Sequence, residues 1–127
     1  MAVLILIARI LFSAIFINSG IKHFTQNEGM AQYAGSQGVP APKFLVGLSG
    51  AMILLGGLSI LLGAYVNVGA ILLILFLIPT AFLMHNFWAF DDPNMKSTQQ
   101  AQFMKNLALA GAAFLIFYFG TGPLSLM

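Results

Sequence analysis

The sequence predicts an all-α fold: a transmembrane four-helix up-and-down bundle with a short interfacial helix in its first connection. Three observations carry that prediction. Of the 127 residues, 60% are hydrophobic and only 6% are charged, and the mean hydropathy is +0.96. Apolar stretches of bilayer length recur along the chain, since a helix needs about 20 such residues to cross the hydrocarbon. Every charged residue except Arg9 lies in or borders two of the connections between those stretches. A soluble domain carries roughly 25% charged residues to hydrate its surface, and five basic plus three acidic side chains cannot do so here. The same hydrophobicity excludes a disordered chain.

The chain reads as a single transmembrane domain over 1–127, with spans at about 2–22, 44–64, 66–88 and 98–120. Span one has no basic residue before Arg9 and no A-x-A pattern after it, so it reads as a retained span and not a signal peptide. A central arginine costs about 2.5–3.5 kcal/mol on insertion scales, and the many Leu, Ile and Phe residues around it return about 0.3–0.6 kcal/mol each. Helical periodicity puts Arg9, Phe12, Ser13, Phe16, Gly20 and His23 on one face, with Asn18 and Lys22 pointing away.

In the first connection, Thr25 and Glu28 have capping-box spacing, which predicts a helix from Gln26 to about Ala34, closed by Gly35. Gly38-Val39-Pro40-Ala41-Pro42 then reads as extended, because a residue before proline is pushed out of the helical region. Span two repeats small residues every seven positions, as Ser49, Gly56, Gly63 and as Gly50, Gly57, Ala64. Such a seam lets a neighbouring helix approach closely in a left-handed membrane bundle. A tight turn at Ala64-Tyr65-Val66-Asn67 leads into span three, where Pro79 removes a backbone hydrogen bond and predicts a kink.

Span three ends in His85-Asn86-Phe87-Trp88-Ala89-Phe90-Asp91-Asp92-Pro93. Its aromatic residues read as an interfacial belt, and its two aspartates as a turn or cap before proline. Ser97 and Gln100 form a second capping box that would start span four near Thr98, and Gly120, Gly122 and Pro123 would stop it. Within that span Asn106, Ala110 and Ala113 make another packing face. Lys22, Lys43, Lys96 and Lys105 border the first and third connections, so the positive-inside rule places that side in the cytoplasm.

The candidate ligand-binding residues are Arg9, His23, His85, Asn86 and Trp88. With no Asp or Glu in any span, Arg9 must pair with a carbonyl, a lipid phosphate, a bound ligand or another subunit. It either snorkels to headgroups or anchors a quinone-type carbonyl or lipid headgroup. His23 and His85 end spans one and three in the same leaflet. Neutral imidazole offers one donor and one acceptor to a quinone oxygen. Two facing histidines could also hold haem or another tetrapyrrole, a reading ranked below the quinone, and histidine at a helix C-terminus also suits the helix dipole. Cysteine is absent, no metal site is expected, no catalytic residue is named, and the scattered basic residues do not read as a nucleic-acid surface.

Arg9, the Ser19-Gly20-x-x-His23-Phe24 exit, Gly38-x-Pro40, Gly56-Gly57, His85-Asn86-Phe87-Trp88 with Asp92-Pro93, and Phe103-x-Lys105-Asn106-Leu107 together resemble the DoxX family. The resemblance covers nearly the whole chain and implies a small four-helix protein of the bacterial or archaeal plasma membrane. Named relatives are associated with quinone-linked respiration, as small subunits of a terminal quinol oxidase or a thiosulfate:quinone oxidoreductase; others are linked to redox stress. Many members carry a glutamate in span two near position 53, where this chain has Ile53. The resemblance implies an accessory subunit of a respiratory or other electron-transfer membrane complex, with lipid and other membrane subunits or a second copy of itself as partners. The alternatives are a stand-alone quinone-linked or tetrapyrrole-carrying protein and, last, a small-molecule transporter.

Overall fold

A computed structural model describes residues 2–120, which form five α-helices and one short 3-10 turn. α1 (Ala2–Thr25), α3 (Pro42–Leu62), α4 (Val66–Met84) and α5 (Pro93–Phe119) are each long and apolar enough to cross a bilayer. α2 (Asn27–Ser36) lies between the first two. α1 packs on α3, α3 on α4 and α4 on α5, while α2 rests on α3. The core draws Phe16 from α1, Ile53 and Ile60 from α3, Leu73 and Leu77 from α4, and Ala110 and Ala113 from α5. Outward-facing residues such as Leu11, Leu55, Leu75 and Leu115 are more than half exposed, as a lipid-facing surface requires.

The face expected of span one is the one that α1 buries. Arg9, Ser13, Phe16, Gly20 and His23 are inside, and Asn18 and Lys22 are outside. The glycine rows of α3 serve two neighbours. A Cβ on Gly50 would lie 2.5 Å from His23 Cβ, and one on Gly57 would lie 3.1 Å from Phe16 Cβ, so this row receives α1. A Cβ on Gly56 would instead come within 2.8 Å of Leu73 on α4. Gly63, also buried, has a conformational role as well. It caps α3 in the left-handed conformation at φ 71°, where glycine is the favoured residue.

Several boundaries differ from the sequence expectation. The Thr25/Glu28 capping box does not form: α1 continues through Thr25, the Gln26 amide still bonds to Lys22 O at 2.8 Å, and Gln26 caps α2 without a side-chain bond. Ala41 is left-handed (φ 43°, ψ 58°) where an extended residue was expected, and Pro42 begins α3 directly after it. α4 stops at Met84, four residues short of the expected end, and a 3-10 turn at Phe87–Ala89 follows. There Phe87 and Trp88 fold onto Phe103, with ring centroids 5.4 and 5.6 Å away. α5 starts at Pro93 with Asp92 as its cap residue, which places Ser97 and Gln100 inside the helix. Proline at the first helical position is pre-organised for helix and has no amide to leave unpaired, so it starts the helix before the capping box is reached. The stop residues Gly122 and Pro123 lie outside the described residues.

α2 is tied down at both ends. Asn27 Nδ2 donates to His23 O at 3.3 Å and to Lys43 O at 3.2 Å. Tyr33 donates its hydroxyl to Met84 O at 2.7 Å, satisfying a carbonyl at the end of α4. Burial pushes the Tyr33 phenol up, with the Gln37 hydrogen bond a smaller opposing effect, so the hydroxyl remains a donor at neutral pH. Tyr33→Phe is expected to cost about 1 kcal/mol locally. It should speed amide exchange in residues 30–36 while leaving α1 and α3 unchanged; identical exchange in α2 would show that the bond does not hold the helix down.

Candidate functional site

α2 covers the end of the bundle where α1 finishes, α3 begins and α4 finishes. Beneath it lies a cavity of about 500 Å³. Most of its wall is apolar, with Met52, Phe76 and Leu83 among the lining residues, and its polar groups include Ser19, His23, Thr80, His85, Lys105 and Asn106. The volume falls within the roughly 300–1,000 Å³ of small-molecule sites.

The two histidines come from different helices and are held in the same way. His23, only 5% exposed, places Nδ1 3.0 Å from Val46 O and 3.0 Å from Ser49 Oγ. Ser49 in turn donates to the same Val46 carbonyl at 2.9 Å. The Phe76 ring sits edge-on to His23, with centroids 5.7 Å apart. His85 places Nδ1 2.8 Å from Gln99 Oε1. A carbonyl oxygen can only accept, so Nδ1 carries the proton in both rings and donates it. Nε2 is then the open nitrogen of each ring, an acceptor when the imidazole is neutral and a donor when it is protonated. Gly50 permits this arrangement around His23, because only a residue without a Cβ lets the histidine backbone come so close to α3.

His23 and His85 are therefore brought to one cavity, and the other three candidate residues are not. Arg9 lies 14 residues before His23, about 21 Å away along α1. Its Nε donates to Ile60 O at 3.3 Å and its Nη2 to Leu61 O at 2.8 Å. These carbonyls belong to the last turn of α3, which has no further helical amides to bond them. Of the partners open to Arg9 from sequence, the structure gives it carbonyls, and the residue is 5% exposed. Asn86 is half-buried outside the cavity wall, with Oδ1 buried and no hydrogen-bond partner. Trp88 is 53% exposed and packs on Phe82, Phe87 and Phe103.

Asn106, expected only to pack, is 4% exposed and also lines the cavity. Sequence reasoning missed Tyr33, Thr80 and Gln99. Thr80 follows Pro79 directly, and a polar residue beside a helix break was the available signal. Tyr33 and Gln99 act across 51 and 14 residues and carry no local signature. Among the described residues there is no group of three His, Cys, Asp or Glu side chains placed to hold a metal.

The family model for DoxX matches residues 4–86 of this chain. The chain belongs to the DoxX family. The DoxX match spans α1 to the end of α4 and includes both cavity histidines. Over 128 residues the chain is 34% identical to Inner membrane protein YphA of Escherichia coli strain K12, covering 98% of this chain and 88% of that protein. It is also 34% identical over 122 residues to Inner membrane protein YqjF of the same organism, covering 96% and 88%. No solved structure matches. With four helices able to cross a bilayer and two inner membrane relatives, this DoxX protein is a multi-pass integral protein of the inner membrane.

Proposed function

We propose that this DoxX protein holds a membrane quinone in the histidine cavity and serves as an accessory subunit to an electron-transfer complex, with its lysine-bearing connections in the cytoplasm. One observation carries the reading: two histidines with Nδ1 committed to protein oxygens and Nε2 open, in one apolar cavity of suitable size. A quinone ring is flat and apolar, with oxygens at opposite edges, and it requires this combination of wall and polar atoms. The bound ring supplies two-electron redox chemistry, and the protein supplies placement. Neutral Nε2 atoms accept from the hydroxyls of the reduced ring, whereas protonated ones donate to the carbonyls of the oxidised ring. Affinity for the reduced form should therefore fall as the medium is acidified.

The test is to purify the protein from native membranes in mild detergent, extract it with solvent and identify quinones by mass. A bound quinone in roughly stoichiometric amount is expected, and His23→Leu should lower it by up to about tenfold, the loss of one hydrogen bond. Quinone at the level of the surrounding lipid would refute the site. A Soret band in the purified protein would instead assign the histidines to a tetrapyrrole. Co-purification of other membrane subunits tests the accessory role, which a chain migrating alone would overturn.

A further inference from the structure

The cavity wall includes residues that also face the lipid. Leu75, Pro79 and Leu83 stand at successive fourth positions on α4, so they form one stripe, and Leu48 lies on α3. Leu48, Leu75 and Leu83 are 46%, 57% and 53% exposed while lining the cavity. A residue can do both only at an opening. The opening has lipid-facing flanks on both α3 and α4, and α2 and its Tyr33 bond to Met84 O stand on the aqueous side. Leu48 is about 9 Å from the start of α3, and Leu75 about 14 Å from the end of α4. The opening therefore stays within the leaflet of the histidine end, since half of a hydrocarbon core is about 15 Å. Pro79 lies in the stripe and has no amide to give the Leu75 carbonyl, so that oxygen loses its helical partner beside the opening.

We propose that the cavity is loaded sideways from the bilayer through this opening between α3 and α4. Its ligand is an amphiphile whose ring sits at His23 and His85 and whose hydrocarbon tail leaves along Leu83, Pro79 and Leu75 into the lipid. The inference rests on the quinone reading and goes beyond it in fixing the ligand as a tailed molecule and in naming its route. It differs from entry of a water-borne quinone under α2, where the helix and its tethers stand.

The experiment uses the full chain in lipid nanodiscs with a quinone that carries a photoreactive diazirine at the end of a ten-carbon tail. Cross-links are mapped by mass spectrometry, with and without excess unmodified tailed quinone. Labelling that the competitor removes is expected on α3 or α4 among residues 48–83, and not at Leu115, which is 61% exposed on α5 but outside the cavity. Leu75→Trp, or Leu48→Trp from the other flank, should remove most of that labelling. Both positions face lipid, so thermal melting should be unchanged. Binding of the tailless quinone ring to the unaltered protein, read by isothermal titration, tests the ring site separately from the route. If the ring binds but competable labelling is missing or falls elsewhere, the lateral route is wrong and the quinone reading stands. If neither the ring nor the tailed probe binds, both readings fall.

Discussion

Gly50→Ala is expected to unseat α1 from α3 and to disorder the histidine site with it. The added methyl would lie 2.5 Å from His23 Cβ, inside the closest approach real Cβ atoms make, and a tight 3.3 Å from Phe24 Cε2. The Phe24 ring can rotate away, but His23 cannot yield in that manner, since a Cβ moves only with its backbone. Overpacking of this kind costs about 1–3 kcal/mol. The shift acts directly on the bonds from His23 Nδ1 to Val46 O and Ser49 Oγ, so quinone retention should fall together with the melting temperature. Gly47→Ala is the control on the same helix: its methyl would meet nothing within 4 Å. It should leave both quantities unchanged or slightly raise stability, because alanine favours helix by about 1 kcal/mol over glycine. Equal behaviour of the two variants would mean that close approach at Gly50 does not set the site.

Removing the guanidinium of Arg9 is the second large perturbation, and it separates stability from binding. Arg9→Leu leaves the Ile60 and Leu61 carbonyls without the donors that now end α3. Each buried carbonyl left unpaired costs about 1–3 kcal/mol, and the favourable pairing of a cation with the negative end of the helix dipole is lost as well. A combined loss of at least about 2 kcal/mol is expected, read as a fall in melting temperature in detergent. Arg9→Lys should recover only part of it, because an ammonium cannot reproduce the planar fork that reaches two carbonyls. The cavity lies about 21 Å away along α1, so the surviving folded fraction should bind quinone as the unaltered protein does. Loss of binding at unchanged stability would instead place Arg9 in the ligand site.

The membrane architecture was legible because its signals are local or periodic. Hydropathy marked four spans, and the spacing of Arg9, Ser13, Phe16, Gly20 and His23 identified the buried face of α1. The histidines could be placed at one end of the bundle because alternating spans return to the same leaflet. The role of Arg9 was left open among several partners, since the identity of an acceptor across 51 residues depends on how two helices are docked. The same limit hid Tyr33, whose value lies in meeting Met84 O and not in any pattern around it. The start of α5 was misplaced for a different reason: two valid start signals, Pro93 after Asp92 and the Ser97/Gln100 box, competed within a few residues, and the earlier one took effect.

The contact of Gly56 with Leu73 joins α3 to α4 just past the middle of both helices, on the side away from the histidines. The two halves of the bilayer therefore act on unlike material. Lateral pressure in one half meets close-packed helices, whereas in the other it bears on a void between them. For a ligand loaded as proposed, tighter acyl packing in that half is expected to oppose loading, and retention compared in nanodiscs of saturated and unsaturated lipid checks it.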